Sequence, residues 1–290
     1  MRIVVVGGTG LVGEKLVNIL RHRGHDVVVA SRKTGVNTLT GEGLSNAIDG
    51  SRVVIDVTNS PTLDGKSVME FFGTSSRNLL ATEEAARVKH HVVLSVVGTD
   101  RLLNSAYFRA KMMQEDLVRH SPIPHTILRS TQFFDFLRRI PEPHLNGTAV
   151  RVSPAFVQPI AADEVAAALA DLALASPRND MIEHAGPELF HLDDIVRHVM
   201  AASGDPRAVI ADSRARYFGA ELSNDSLTPD EGAIIGVTRF DAWLEQHAST
   251  LRAEDLTLAS SLLHGATRKR DFHTQFPRPR GARKILSLNR

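Results

Sequence analysis

Short apolar runs alternate with longer amphipathic segments along the first half of the chain. Residues 3–6 form an unbroken β-branched run, which is typical of a strand buried on both faces of a parallel sheet. In the segment that follows, apolar residues recur at helical spacing, and Gly24 marks its predicted end. The recurring positions are Leu11, Val12, Leu16, Val17 and Leu20. Because a second β-branched run, DVVVA, comes next, the pattern predicts a strand, helix and strand within about 30 residues.

The same alternation continues to about residue 176. Three further strands are predicted at SRVVIDV, HHVVLSVVG and HTILRS. Helices are predicted at DGKSVMEFFGTSSRNLLATEEAARV, YFRAKMMQEDLVRH and AADEVAAALADLALAS. This order predicts an α/β fold with a Rossmann-type, doubly wound parallel sheet.

The pattern loosens after the fifth strand. Residues 131–160 mix aromatic residues, prolines and short strands. Ligands of doubly wound folds bind beyond the carboxyl ends of the strands, so we predict a substrate wall from residues 131–160 and 185–250. Gln132, Phe133 and Phe134 are its predicted substrate contacts, and ordinary core packing is the alternative for the two phenylalanines. Residues 1–250 would then form one nucleotide-binding domain with a small C-terminal part that covers the substrate.

The loop after the first strand carries glycines at Gly7, Gly10 and Gly13. The first glycine permits a tight turn, the second lets backbone N–H groups approach a pyrophosphate, and the third lets the helix pack closely on the strand. The helix N-terminus adds unpaired donors and a partial positive charge. We therefore predict dinucleotide binding by this loop and the first helical residues, a purely structural turn being the alternative. The predicted contacts are Gly7, Thr9, Gly10, Leu11, Val12 and Gly13.

The end of the second strand indicates which dinucleotide is bound. Ser31, Arg32 and Lys33 follow that strand, and no acid stands among them. An acid at this place bonds the ribose 2′-hydroxyl of NAD, whereas a basic residue accommodates the 2′-phosphate of NADP. The three residues therefore favour NADP(H) over NAD(H), the alternative being a solvated pair of surface cations.

Tyr107 and Lys111 form the candidate reactive pair. Four residues apart on a helix, they share one face and can point into one cleft. A nearby ammonium favours the phenolate, so Lys111 is expected to lower the pKa of Tyr107 and make it a usable acid or base. Ser95 ends the fourth strand and could hold a substrate carbonyl or orient the phenol. A surface Tyr–Lys pair and a structural serine are the alternative.

These motifs together resemble the short-chain dehydrogenase/reductase superfamily. The stretches GGTGLVG, YFRAKMMQEDLV, ILRSTQFFDFL and IAADEVAAAL are similar to its atypical, NmrA-like branch. The resemblance implies NAD(P) bound across a Rossmann sheet, with Thr58 and Asn59 bordering the nucleotide. It also implies a catalytic triad of Ser95, Tyr107 and Lys111, in which Lys111 also bonds the nicotinamide ribose. Some members of the branch have lost catalysis and act as nucleotide-sensing regulators.

Composition narrows the other possibilities. The chain has 290 residues, a net charge of +1 and no cysteine, so no disulfide, thiol catalysis or thiolate metal site is predicted, and no other metal site is indicated. A first strand at residue 2 and short apolar runs lead us to expect a cytoplasmic protein without signal peptide or membrane span. The partner expected is a small-molecule substrate rather than nucleic acid, and the chain is expected to be a monomer or homodimer.

The last 40 residues differ from the rest. Residues 251–290 carry nine Lys/Arg and three Asp/Glu, a net charge of +6. We predict a flexible basic tail, with binding of an acidic partner as the alternative.

The sequence thus predicts an NADP-dependent oxidoreductase that transfers hydride to or from a small carbonyl or quinone-like substrate, with Tyr107 as the acid or base. Two alternatives stay open at this point. One is a non-catalytic NADP sensor with a protein partner, and the other is sugar epimerase or dehydratase chemistry on the same fold.

Overall fold

A computed structural model describes residues 1–62, 65–140 and 148–247. The predicted basic tail of residues 251–290 lies outside the described residues, as does part of the predicted substrate wall at 141–147.

The first half of the chain contains the predicted alternation. Its elements are β1 (Arg2–Val6), α1 (Leu11–His22), β2 (Asp26–Ala30), a 3-10 turn (Arg32–Thr34), α2 (Leu44–Ile48), β3 (Val53–Asp56), α3 (Gly65–Ala85), β4 (His90–Val96), α4 (Ala106–Arg119), β5 (His125–Ser130) and α5 (Phe134–Leu137). The second half contains β6 (Ala149–Val152), β7 (Phe156–Val157), α6 (Ala162–Leu174), β8 (Asp180–Ala185), β9 (Phe190–His191), α7 (Leu192–Ser203), β10 (Ala208–Ala211), β11 (Ile234–Ile235) and a further helix, α8, over residues 240–247.

The central sheet has seven strands in the order β11-β8-β5-β4-β3-β1-β2. Every neighbouring pair is parallel, and Val4 of β1 aligns with Val28 of β2 on one side and Val54 of β3 on the other. The predicted doubly wound parallel sheet is therefore confirmed. Because β2 pairs with one edge of β1 and β3 pairs with the other, the strand order reverses at β1. This reversal opens a crevice at the carboxyl ends of β1 and β3.

Two of the sheet strands were not predicted. β8 contains Asp180, Glu183 and His184 within six residues, and β11 has only two residues. Because these polar side chains interrupt the apolar run, the hydrophobic pattern did not predict β8. Glu183 accepts a hydrogen bond from the backbone N–H of Asp230 at 2.6 Å, which shows why a carboxylate occurs in this strand.

Helices cover both faces of the sheet. The side chains of Ile3 and Val5 face α1 and α6, whereas those of Val4 and Val6 face α2, α3 and α4. Burial on both faces explains the unbroken β-branched run. None of the helices in the described ranges is long and apolar enough to cross a membrane.

The C-terminal part forms a second, smaller core beside the sheet. It is built from β6 paired with β10, β7 paired with β9, and the helices α5, α7 and α8. Phe134 lies at its centre, 1% exposed, with its ring 5.5 Å from that of Phe240 and 5.3 Å from that of Trp243. The prediction that Phe134 contacts substrate is therefore wrong, because its ring is buried between α5 and α8.

Gly13 is where α1 touches the loop that precedes it. A Cβ atom placed on Gly13 would stand 2.3 Å from the carbonyl oxygen of Gly7 and 2.7 Å from the Cα of Gly8. Both neighbours are backbone, so the clash could be relieved only by moving the helix away from the strand.

Gly13→Ala is expected to lower the free energy of unfolding by about 3 kcal/mol, the upper part of the range for overpacking. Urea unfolding followed by circular dichroism measures it. Gly10→Ala is the matched control, because a Cβ there meets only the Gly7 oxygen, at 3.4 Å. An unfolding midpoint for Gly13→Ala equal to that of the wild type would contradict the proposed packing constraint.

Candidate functional site

A cavity of about 950 Å³ crosses the carboxyl ends of β1 to β5. Small-molecule sites commonly measure about 300–1,000 Å³, so this one has room for a ligand of considerable size. The glycine loop and the ends of β2 and β3 line one part, and residues of α4, the segment after β5 and the C-terminal part line the other. The cavity lies where the strand order predicts a ligand.

The glycine loop presents backbone to the cavity. Gly7 has a φ of +83°, and its N–H donates to the Ala30 carbonyl at 2.8 Å, which turns the chain out of β1. Helix α1 starts after Gly10 with no side-chain cap on its first N–H groups. Those free donors and the open space above Gly10 suit an anionic group. The lining includes Gly7, Thr9, Gly10, Leu11 and Val12. Gly13 is not part of it and serves the packing described above.

The end of β2 brings cations to the same cavity. Ser31, Arg32 and Lys33 all line it, and the Arg32 and Lys33 side chains are exposed. Thr34 fixes the turn, because its hydroxyl accepts a hydrogen bond from the Ser31 N–H at 2.9 Å. In the described ranges no carboxylate forms an ion pair with Arg32 or Lys33, so both charges remain available to a ligand.

The loop after β3 borders the cavity on its other side. Thr58 and Asn59, which the resemblance places beside the nucleotide, line it. The backbone N–H of Thr58 donates to Asp56 Oδ1 at 2.9 Å, while the buried Thr58 hydroxyl has no hydrogen-bond partner within the described residues. The Thr131 hydroxyl, on the segment after β5, is also buried at the cavity with no hydrogen-bond partner among the described residues. Buried polar groups are normally satisfied, so these two hydroxyls fit a bound polar ligand such as a dinucleotide.

Lys111 is buried at the cavity floor, 3% exposed. Its ammonium donates to the Leu94 carbonyl at 2.8 Å and to Gln114 Oε1, and Gln114 in turn donates to Asp56 Oδ2 at 2.9 Å. The ammonium also lies 4.7 Å from the centre of the Phe72 ring. Burial lowers the pKa of Lys111 to about 8, although the carboxylates of Asp56 and Glu115 oppose that shift.

Tyr107 lines the cavity on the same helix, and its ring lies among other aromatic rings. The ring centres of Phe108 and Phe218 are each 5.5 Å away, and that of Phe72 is 6.2 Å away. Burial of the phenol raises the pKa of Tyr107 to about 12. The expected lowering of this pKa by Lys111 is therefore wrong for the protein alone, because desolvation of the phenolate dominates.

Ser95 lies at the end of β4 and lines the cavity, but its hydroxyl is engaged elsewhere. It donates to Glu115 Oε1 at 2.6 Å. Glu115, which is fully buried, also accepts from Arg119 at 2.8 Å and from Arg129 at 2.9 Å through each of its oxygens. In the described part of the chain Ser95 makes no hydrogen bond to Tyr107. The prediction that Ser95 orients the phenol is thus corrected, because the Ser95 hydroxyl donates its proton to Glu115 of α4 instead.

Several lining residues lie within the predicted wall of residues 185–250 but were not singled out by the sequence analysis. Tyr217, Phe218, Trp243 and His247 come from the C-terminal part, where no spacing connects them with the glycine loop. Trp243 falls within this predicted wall, but nothing in the local periodicity indicates a side chain at the cavity. Of the predicted substrate contacts, Gln132 and Phe133 do reach the cavity.

Comparison with known proteins agrees with this geometry. A family model described as NAD(P)H-binding matches residues 7–176, the segment that contains the glycine loop, Arg32, Tyr107 and Lys111.

Among curated proteins, the chain is similar to the Photosystem II assembly factor Ycf39 of Cyanophora paradoxa, with 24% identity over 151 residues, 47% of each chain. The Ycf39 of a Synechocystis strain is 25% identical over 151 residues, 47% of this chain and 46% of that protein. The chain thus spans about half the length of these curated relatives. A shorter match of 45 residues, 44% identical, joins it to the human Epimerase family protein SDR39U1 and covers 16% and 15% of the two chains.

Solved structures share the fold. A short-chain dehydrogenase/reductase superfamily protein from Agrobacterium tumefaciens with bound NAD has a TM-score of 0.64 and 20% identity, covering 90% of this chain and all of that one. A dTDP-4-dehydrorhamnose reductase from Bacillus anthracis in complex with NADP has a TM-score of 0.59 and 12% identity, covering 87% and 97%.

The lowered pKa of Lys111 makes stability depend on pH. Between its pKa of about 8 in the folded state and its ordinary value of 10.5, the unfolded chain binds more protons than the folded one. Stability conferred through this group therefore rises with pH across that window. In Lys111→Met this contribution is absent, so the unfolding free energy of the wild type relative to the variant should rise by about 2 kcal/mol from about pH 7.5 to about pH 10.

Urea unfolding at a series of pH values measures this difference. Lys66→Met, at an exposed lysine of α3, is the control and should give a profile parallel to the wild type. A parallel profile for Lys111→Met as well would rule out a desolvated ammonium at this position.

Proposed function

We propose that this chain, which belongs to the NAD(P)H-binding family, is an NADP-dependent oxidoreductase acting on a small carbonyl compound. The observation that carries the proposal is that one cavity brings together the glycine loop, Arg32, and the Tyr107 and Lys111 pair. The first two suit a phosphorylated dinucleotide, and the pair supplies a proton donor and a cation beside it.

The residues present fit NADP in distinct ways. The N–H groups at the start of α1, from Leu11 onward, would hold the pyrophosphate, and Arg32, assisted by Lys33, would hold the ribose 2′-phosphate. The hydroxyls of Thr58 and Thr131, which have no partner in the described part of the chain, border the same cavity and would contact the nucleotide. When bound, the nicotinamide supplies or accepts the hydride.

Tyr107 would handle the proton. With a pKa of about 12, its phenol is protonated at neutral pH and suits donation to the oxygen of a carbonyl as that oxygen gains charge. The phenolate left behind needs a counter-charge in this apolar setting, and Lys111 carries an ammonium one helical turn away. The Leu94 carbonyl and the chain of Gln114 and Asp56 hold that ammonium in place.

A second candidate function is a nucleotide-dependent assembly factor or regulator that binds a protein partner. It is favoured by the names of the Ycf39 relatives. The two candidates share the NADP site and differ in whether Tyr107 matters for turnover.

Arg32→Asp tests the preference for NADP. The change removes charge-assisted hydrogen bonds worth about 1.5–3 kcal/mol, so the Kd for NADPH should rise about 10-fold to 100-fold, while NADH binds as well or better. Nucleotide fluorescence titration gives both constants. Arg52→Asp makes the same charge change at an exposed position preceding β3 and should leave both constants unchanged. Equal affinity of the wild type for NADPH and NADH would sink the proposed preference.

Tyr107→Phe tests the proton donor. Only the hydroxyl is removed, so the fold and NADPH affinity should persist while kcat falls by about 10²-fold to 10⁴-fold, the usual contribution of a general acid. NADPH absorbance during turnover of aldehydes, ketones and quinones provides the rate. Lys111→Ala should reduce both turnover and NADPH affinity, and the double variant should lose less than the product of the two effects.

Wild-type turnover by Tyr107→Phe would mean that the phenol is not the acid. Tight NADPH binding without turnover of any carbonyl would favour the assembly-factor candidate instead.

A further inference from the structure

A tight turn in the C-terminal part holds Phe218 in an unfavourable backbone conformation. The N–H of Tyr217 donates to the Ala220 carbonyl at 2.8 Å, and the N–H of Ala220 donates back at 3.0 Å. The two residues between them both have positive φ, +48° at Phe218 and +86° at Gly219. Such turns favour Asn-Gly, and a bulky residue with positive φ is rare. Nothing in the local sequence therefore favours a phenylalanine at this position.

The turn points the Phe218 ring into the cavity. That ring lies 5.5 Å from the ring of Tyr107, tilted by 31°, and 5.7 Å from that of Phe136, tilted by 30°. Arg216 braces the turn by donating to the Gly219 carbonyl at 3.1 Å and to Glu221 at 3.0 Å. Phe218 nevertheless keeps part of its surface exposed, so it is less enclosed than the packed rings of the core. Strained backbone that persists at a ligand cavity is a recognised mark of function.

The wall around the Tyr107 phenol is mostly aromatic. Phe108, Phe136, Tyr217 and Phe218 all line the cavity there. The Gln132 amide adds one polar group, beside the buried Tyr217 phenol whose pKa is raised by burial. Sugar rings need many hydrogen-bond partners, whereas flat conjugated rings gain from contact with aromatic faces and edges. This end of the cavity is suited to the second kind of ligand.

We propose that Phe218 determines substrate specificity and that the substrate carries a flat conjugated ring next to its carbonyl group. This ring packs against Phe218 and Phe136, and the carbonyl oxygen reaches the Tyr107 hydroxyl. The inference rests on the proposed oxidoreductase function, since it assumes that the carbonyl meets Tyr107.

Two ketones with the same carbon skeleton test the inference. 1-Tetralone has an aromatic ring fused beside its carbonyl, and 1-decalone is its saturated counterpart. Each is titrated calorimetrically into the full chain saturated with NADP⁺. An aromatic contact adds affinity beyond area burial, so 1-tetralone should bind about fivefold to tenfold more tightly than 1-decalone. Equal affinities, a preference for 1-decalone, or no measurable binding of either ketone would overturn the inference.

Two variants assign the preference to Phe218. Phe218→Leu keeps an apolar side chain without the ring, and Phe218→Asn supplies the residue that the turn favours, so at least one of them should fold. Both should lose about fivefold or more in affinity for 1-tetralone while binding of 1-decalone and NADP⁺ changes little. Phe156→Leu is the control. The Phe156 ring packs against the His191 ring, with 4.6 Å between the ring centres, and Phe156 is not one of the residues that line the cavity. An unchanged preference in a folded Phe218 variant would refute the assignment.

The same samples separate this inference from the proposed function. If 1-tetralone binds through Phe218 but NADPH is never oxidised, the oxidoreductase function fails and the ring site stands. If NADPH is oxidised by saturated carbonyls with no dependence on Phe218, the function stands and the ring site fails. If NADP⁺ does not bind, titration of both ketones into nucleotide-free protein decides the question of the ring site.

Discussion

The helix that carries Tyr107 and Lys111 depends on one buried ion pair, between Glu115 and Arg129. Arg129 on β5 grips both oxygens of Glu115 on α4, and its remaining nitrogen reaches Asp100 at 3.1 Å, in the loop after β4. Removing either partner would leave the other buried charge to its second contact, Arg119 for Glu115 and Asp100 for Arg129, which is destabilising. The hydroxyl of Ser95 joins the same carboxylate. A strand end, a neighbouring strand and a helix are thereby held in register below the cavity.

Much of the cofactor half could be predicted because its signals are local. The β-branched runs and the loop from Gly7 to Gly13 depend on backbone geometry within a few residues, and the structure places them as expected. The cations at Arg32 and Lys33 were found for the same reason, since their position follows from the end of one strand. Local sequence was sufficient wherever local backbone determined the feature.

The remaining features depend on tertiary surroundings. Glu115 is one helical turn beyond Lys111, yet nothing in sequence shows that Arg129 would take both its oxygens and Ser95 would join. Whether Phe134 faces substrate or core is decided by α8, about a hundred residues later. The pKa of Tyr107 rises instead of falling because enclosure by distant rings outweighs a cation on its own helix. The burial and pKa of a side chain depend on every element that packs against it, whereas sequence spacing shows only its neighbours on the same helix or strand.

Part of the aromatic end of the cavity is contributed by residues late in the chain. The glycine loop, the cations after β2 and the reactive pair on α4 all come before α6, whereas Phe218 and Trp243 come after it. The later residues are contributed by the turn between Tyr217 and Ala220 and by α8, rather than by the sheet. Replacing those two segments would change the side chains around Tyr107 and leave the glycine loop and Arg32 in place. Evolution could therefore alter the substrate preference of this fold while the nucleotide-binding residues stay the same.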